Sequence, residues 1–449
     1  MDEAAEAIKS PYFDKATFQR QIDLIKIAAA KADDVIHYEA AHNPEILRAI
    51  AIVEEFLRKK HRLCYGGQAI NAHLPRQYKI YDPEKSIPDY DFFTPDQAGD
   101  VTLLTRAMRR AGFTEISARE GIHEGTIKFY VNFNPVADIT AIDPALYKVL
   151  SARELKSNGI SYMGADMLRM MMYLELSRPM GMVTRWEKVY ERLILLNEFV
   201  PIKRCTSAGA GSRSFLTEGE VETVMRKIIT HGRIFAGGDL LGYYRTAIRR
   251  GKRVAASWLL GTQRPIFFYS QTPAEDAKEL MEAFRDDGGQ SKRLEFKKMA
   301  GIGDIVPITY VAMREGRPAI IIIEETACHS YYSIPLRFGE QMRVASLDTL
   351  IALYFSLSLL NTKVEGLASL ECAAQELVEI SFRARAAPEK FPFPFISLKC
   401  SGHQATMASL VREKVRRILT VKKKIKAMLE EGTPRRKHRR ARTLARRSR

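Results

Sequence analysis

Apolar positions along the chain recur with two different periods, and the changes between them predict where helices and strands lie. Over residues 1–42, Ile22, Leu24, Ile25 and Ile27 stand among charged neighbours, which predicts a helical N-terminal segment. Asn43-Pro44 predicts the start of a second helix, with Asn43 at the N-cap and Pro44 at the first helical position. Ile46, Leu47, Ile50, Ile52, Val53 and Leu57 carry it to about His61. A short apolar stretch, Leu63-Cys64-Tyr65, then ends in Gly66-Gly67. Further on, Tyr90–Phe93 predicts a strand leading into a helix over Ala98–Arg110, and Thr126–Phe133 alternates as a strand. Val136–Thr140 predicts another strand after the Asn134-Pro135 break, and Asp166–Leu176 predicts an apolar helix stopped by Pro179.

That order is then replayed. The helical pattern Glu218–His231 leads into Arg233-Ile234-Phe235-Ala236-Gly237-Gly238, as the earlier helix leads into Arg62-Leu63-Cys64-Tyr65-Gly66-Gly67. Phe267-Phe268 before a helix from Pro273 parallels Phe92-Phe93 before the helix from Ala98. The strand Ala319–Ile323 stands where the strand bearing Asp138 should be, and Asp348-Thr-Leu opens a helix as Asp166-Met-Leu does. The spacing drifts from 171 (Gly67 to Gly238) through 175 (Phe92 to Phe267) to 182 (Asp166 to Asp348), as small loop insertions produce. One Gly-Gly match arises by chance in any α/β chain, but four landmarks in the same order predict a duplicated α+β fold. The expected organisation is a helical segment 1–42, a first unit 43–200, a second copy 215–385, and a basic C-terminal region 386–449. The Gly- and Ser-rich Cys205–Ser214 reads as the linker.

Composition narrows the class of partner. The 70 Lys+Arg against 53 Asp+Glu give a net charge of +17 and a pI near 9.5, a balance that attracts polyanions, nucleic acid first. Much of the excess lies at the end, in the basic helical stretch Met407–Leu429 and in Pro434–Arg449, which holds nine Lys/Arg and no acid. No apolar run approaches the roughly 18 residues of a membrane span, and MDEAAEAIKS carries no apolar signal core. The chain is therefore expected to be soluble, not secreted and without a membrane partner. Five scattered cysteines with no CxxC speak against a disulfide framework or a structural zinc site, and Cys400-Ser-Gly-His403 lacks a second ligand pair.

Three carboxylates suggest the chemistry. Asp89 and Asp91 lie two apart at a strand start and so project from one face, with Tyr90 turned to the other. Two like charges so close resist joint ionisation unless a cation neutralises them. Asp138 sits inside the apolar run Val136-Ala137-Asp138-Ile139, where an ionised side chain is costly unless paired or metal-bound. If the two strands are neighbours, the three converge on all-oxygen sites suited to two Mg²⁺ or Mn²⁺ ions. Gly66 and Gly67, between a strand and a helix, would let backbone N–H groups approach phosphate. A Gly-Gly pair alone is usually only a turn, and Asp89 after Pro88 alone reads as a solvated loop charge.

Taken together, Tyr65-Gly66-Gly67-Gln68-Ala69-Ile70-Asn71, Pro88-Asp89-Tyr90-Asp91-Phe92-Phe93 and Ala137-Asp138-Ile139 resemble the polymerase-β-like nucleotidyltransferases. Within these the chain is similar to the poly(A) polymerase catalytic subunits of large nucleocytoplasmic DNA viruses, strongly over about 43–180. The resemblance implies a polymerase-β-like nucleotidyltransferase fold, ATP as donor and an RNA 3′ end as acceptor. It implies that Asp89, Asp91 and Asp138 are catalytic and hold two Mg²⁺ or Mn²⁺ ions, and that Gly66, Gly67 and Asn71 bind the nucleotide. It also implies mRNA polyadenylation in a virion or infected-cell cytoplasm, with a second copy or a processivity subunit as partner. The chain departs from the common Gly-Ser pattern in having Gly66-Gly67, and His73–Ile87 reads as an inserted loop before Asp89. In the second copy, aligning the paired phenylalanines puts Arg264 and Ile266 at the positions of Asp89 and Asp91, with Glu324 or Glu325 near the third. That copy is expected to be degenerate and to wall an RNA channel. Rival readings are a terminal transferase of another nucleotide specificity and a non-catalytic RNA-binding scaffold.

Overall fold

The computed structural model describes residues 14–82, 87–202, 216–255, 257–260, 264–285, 294–301, 305–360 and 369–431. The basic tail from Pro434 and the Cys205–Ser214 linker lie outside the described residues.

Helix α1 (Lys15–Ala41) precedes α2 (Pro44–Lys60), which Asn43 caps as expected, its Oδ1 accepting from the N–H groups of Glu45 and Ile46 at 2.9 and 3.3 Å. There follow β1 (Leu63–Cys64), α3 (Gly66–His73), β2 (Tyr90–Thr94), α4 (Gln97–Arg110), β3 (Ile116–Glu120), β4 (Thr126–Val131) and β5 (Asn134–Ala141). Helix α5 (Pro144–Ser151), β6 (Leu155–Ser157), β7 (Ile160–Tyr162), α6 (Ala165–Leu176) and α7 (Trp186–Phe199) complete the first copy. The second begins with α8 (Glu218–Thr230), β8 (Ile234–Phe235), α9 (Asp239–Arg250), α10 (Ser257–Leu260), β9 (Ile266–Ser270) and α11 (Pro273–Arg285). It continues through β10 (Phe296–Met299), β11 (Thr309–Arg314), β12 (Arg317–Glu324), β13 (His329–Pro335), β14 (Gln341–Ala345) and α12 (Leu347–Leu360). Helix α13 (Ser369–Ala386), β15 (Cys400–Ser401) and α14 (Met407–Glu431) close the described chain.

The strands form two sheets of the same topology. One runs β3-β4-β5-β2-β1-β7-β6 and the other β10-β11-β12-β9-β8-β14-β13, with β15 added at its edge. Strand directions repeat as well. β2 and β5 are parallel, as are β9 and β12, while β1–β2 and β8–β9 are antiparallel. Single interactions recur too: buried Asp100 accepts from Arg62 Nε and Nη2 at 2.7 and 2.9 Å, and buried Asp276 accepts from Arg233 Nη2 at 3.0 Å, with Nε in ion-pair contact at 2.9 Å. The duplicated fold expected from the four landmarks is therefore present, as a mixed α/β architecture.

The register corrects one detail of the alignment. β1 pairs Cys64 with Phe92, and β8 pairs Phe235 with Phe268, so Phe92-Phe93 corresponds to Phe268-Tyr269 rather than Phe267-Phe268. Neighbouring aromatics Phe267, Phe268 and Tyr269 made the one-residue slip invisible to pattern matching, and a slip of one exchanges the two faces of a strand.

The chain divides into two compact units. One comprises Met1–Arg119, Ile127–Ile142 and Leu150–Gly164, and holds the first sheet. Its core includes Leu63, Cys64, Phe92, Phe129, Val136 and Ile139, all buried. The other comprises Glu120–Thr126, Asp143–Val149 and Ala165–Arg449, with a core built on the second sheet around Ile320–Ile323 and on α6, α12 and α13. Cys328 and Cys400 form a disulfide in this unit, with Cα atoms 5.3 Å apart, which corrects the expectation drawn from scattered cysteines. Pairing of β13 with β15 brings together residues 72 apart in sequence. Among the described residues no helix is long and apolar enough to cross a membrane.

Candidate active site

The carboxylates of the first copy meet because two strands are parallel and in register. Asp91 of β2 stands directly opposite Asp138 of β5, so both side chains leave the same face of the sheet. Asp89 lies two residues before Asp91, at the entrance to β2. Tyr90 turns the other way into the core, where its hydroxyl donates to Glu54 Oε1 at 2.7 Å. The alternation expected of Asp89-Tyr90-Asp91 is thus how the segment packs.

Gly66 and Gly67 follow β1 at the first turn of α3. Gly66 has φ +69°, a left-handed conformation that favours glycine, and a Cβ there would overlap Asp91 Oδ2. The turn is therefore shaped around the Asp91 carboxylate. The Tyr65 N–H donates to the Asp91 carbonyl at 2.9 Å, and the Tyr65 ring stacks on Phe93 with centroids 4.1 Å apart. The Tyr65 hydroxyl and Thr140 Oγ1 are 2.9 Å apart, which ties the turn to β5. Asn71 lies buried on α3, and its Oδ1 accepts from the N–H groups of Ile80 and Tyr81 at 2.9 and 3.4 Å. That oxygen anchors the loop read above as inserted.

Lys128, on β4, was not singled out by sequence reasoning. Its Nζ donates to both carboxylate oxygens of Asp138, at 3.0 and 2.7 Å. Burial opposes the charge on this lysine, but the contact with Asp138 outweighs it and holds the ammonium above its ordinary range. The available signal was a lysine within the apolar alternation Ile127, Phe129, Val131. Asp89 is solvent-reachable while protein atoms crowd its carboxyl. Desolvation, then the charge of Asp138, pushes that carboxyl above the usual carboxylate range against the pull of Lys128.

Among the described residues no three His, Cys, Asp or Glu side chains stand ready-made around a cation position. Asp138 is turned to Lys128 instead. The donor set nevertheless fits a hard divalent ion: three carboxylates, all oxygen, with Asp89 carrying a charge penalty that a cation would remove.

The second copy has lost this arrangement. Phe267 is opposite Ile321 at the positions of Asp91 and Asp138, and Pro265 stands for Asp89. The expected substitutes Arg264 and Ile266 are displaced by one residue, and Glu324 pairs instead with Ser270 at the strand end. Arg264 Nε lies 3.5 Å from Asp239 at the start of α9, where burial pushes the Asp239 carboxyl up to about 6 despite that arginine. The copy retains the strands and the glycine turn without the acids.

The chain is similar to known proteins in sequence and in fold. Residues 51–182 match the sequence family described as poly(A) polymerase catalytic subunit. A protein of Acanthamoeba polyphaga mimivirus assigned as a poly(A) polymerase catalytic subunit is 29% identical over 190 residues, 40% of this chain and 31% of that protein. One of African swine fever virus with the same assignment is 27% identical over 168 residues, 36% of this chain and 35% of its own length. The matched segments thus span about a third of these curated relatives. The crystal structure of the Megavirus polyadenylate synthase shares the fold, with a TM-score of 0.70 over 94% of this chain and 86% of that one at 16% identity. Over residues 51–182 the chain is therefore similar in sequence to poly(A) polymerase catalytic subunits, and over most of its length it shares the fold of a viral polyadenylate synthase.

Proposed function

We propose that the protein is a template-independent poly(A) polymerase that transfers AMP from ATP to RNA 3′ ends. The observation that carries this reading is the in-register pair Asp91 and Asp138 beside a glycine turn that only fits around the Asp91 carboxylate. Asp89, Asp91 and Asp138 would hold two Mg²⁺ or Mn²⁺ ions, which supply charge neutralisation at the attacking hydroxyl and at the leaving pyrophosphate. The RNA 3′ oxygen loses its proton and bonds to the α-phosphorus of ATP, while the bond from that phosphorus to the bridging oxygen breaks and pyrophosphate leaves. Gly66 and Gly67 leave backbone N–H groups of the first turn of α3 open to the triphosphate. Lys128 Nζ orients the Asp138 carboxylate and would give way to a divalent ion.

RNA is bound through its phosphates, independently of sequence, as a growing homopolymer requires. The exposed Arg412, Arg416, Lys422, Lys423, Lys424 and Lys426 of α14 support this. In this reading the enzyme polyadenylates mRNA in a virion or infected-cell cytoplasm, where the relatives' viral origin puts such chemistry.

The test is extension of a labelled RNA with each nucleoside triphosphate separately, in Mg²⁺ and in Mn²⁺, beside the Asp89→Ala/Asp91→Ala variant. The expected result is long ladders with ATP alone and none from the variant. Ladders with UTP or CTP would keep the mechanism and replace the substrate. Tight RNA binding without extension would favour a scaffold.

A further inference from the structure

We propose that Tyr81 supplies a hydroxyl that hydrogen-bonds the nucleoside triphosphate at the glycine turn, an assignment that rests on the polymerase reading above. The two glycines of the turn are each shaped around a different side chain. A Cβ on Gly66 would overlap Asp91 Oδ2, and a Cβ on Gly67 would overlap Tyr81 Oη and lie 2.8 Å from Cε2 and Cζ of the same ring. Real Cβ atoms do not approach so closely, so a side chain on residue 67 would have to push the phenol aside. The hydroxyl thus stands where a side chain on residue 67 would begin, in the first turn of α3 and one residue from the glycine that abuts Asp91.

The placement is built into the chain. After α3, Pro75 and a short turn at Arg76–Tyr78 reverse direction, and buried Asn71 holds the N–H groups of Ile80 and Tyr81. His73 Nε2, at the end of α3, lies 2.9 Å from the Met163 carbonyl and fixes the point from which the loop departs. The loop therefore returns to the start of the helix it has just left and delivers a phenol there.

The second copy is built differently at the same turn. Gly238 corresponds to Gly67, and a Cβ there would meet only the aliphatic part of Arg264, at 3.6 Å and beyond. A phenol does reach that turn, but it comes from α12 and is committed to backbone: the Tyr354 hydroxyl lies 3.1 and 3.0 Å from the Ala236 and Gly237 carbonyls. Chemistry agrees with the pairing, since a phenol O–H is a donor and phosphate oxygens are acceptors only. A hydrogen bond to a charged acceptor is among the stronger ones. Asn71 is then a positioning residue, acting through Tyr81.

Tyr81→Phe removes the oxygen and keeps the ring. We expect its KM for ATP to rise about ten- to a hundredfold, the range of a hydrogen bond to a charged group, with kcat changed much less. Binding of an ATP analogue with a methylene between the α- and β-phosphorus, measured calorimetrically with Mg²⁺, should weaken by the same factor. Gly67→Ser alone should be impaired by collision with the ring. Combined with Tyr81→Ala, it should recover binding lost by Tyr81→Ala, because serine then supplies the hydroxyl. Analogue binding by Tyr81→Phe equal to or tighter than wild type would overturn the role of Tyr81 and leave the polymerase reading standing. A wild-type protein that binds no nucleoside triphosphate and extends no RNA would remove both.

Discussion

Asp138 and Lys128 form an ion pair, and in the proposed mechanism a divalent ion takes the place of the lysine. A half-exposed lysine and a mostly buried aspartate gain from this contact, and any metal must compete with it. Replacing Lys128 with methionine keeps the length of the side chain and removes the competitor. Half-saturating Mn²⁺, followed by the loss of the free-ion electron paramagnetic resonance signal, should fall several-fold in Lys128→Met. An unchanged or higher value would mean that the lysine does not stand in for a metal. The same scale accounts for Gly66, whose conformation and lack of Cβ both answer to Asp91.

At the level of elements, the two copies differ informatively in one hairpin. The turn joining β4 to β5 has both central residues left-handed, Asn132 at φ 47° and Phe133 at φ 66°. Its counterpart joining β11 to β12 uses Glu315 and Gly316, at φ 52° and 76°. Two-residue turns of this kind favour glycine at the second position, and a left-handed L-residue costs roughly 1–2 kcal/mol. Phe133 is 75% exposed, so little packing offsets that cost. Phe133→Gly is therefore expected to stabilise the first unit by about 1 kcal/mol, after allowing for the greater chain entropy of glycine. Chemical denaturation would read this directly, and a destabilised variant would show that the phenylalanine packs more usefully than its exposure suggests.

On the scale of the whole molecule, one fold has been used twice and its three acids kept once. Asp89, Asp91 and Asp138 become Pro265, Phe267 and Ile321, while the buried ion pair Arg62–Asp100 persists as Arg233–Asp276. Groups that hold the architecture together survive, and groups that would bind ions do not. The second unit has gained a disulfide closing a separation of 72 residues. In the loop-entropy picture such a closure contributes about 4 kcal/mol. Cys328→Ser or treatment with reductant should lower the melting temperature, whereas Cys64, buried as a free thiol, should resist labelling in the folded protein. A melting temperature indifferent to reductant would mean that the bridge adds nothing to stability.

Much of this was determined by the sequence. The helix cap at Asn43, the strands around Asp91 and Asp138, the duplication and the three acids follow from period, turn chemistry and spacing, all properties of neighbouring residues. Other features depended on atoms distant along the chain. The register that pairs Asp91 with Asp138 required β2 and β5 to be adjacent, and the one-residue slip among Phe267, Phe268 and Tyr269 could be resolved only by β8. Lys128 is an ordinary strand lysine until β5 lies beside it, and Cys328 has no partner until β15 joins the sheet. Gly67 reads as a turn residue until the loop returns and sets a phenol against it. Local pattern fixes which elements form, because backbone and neighbouring side chains decide that. Only packing decides which side chains from separate elements come within a hydrogen bond's reach.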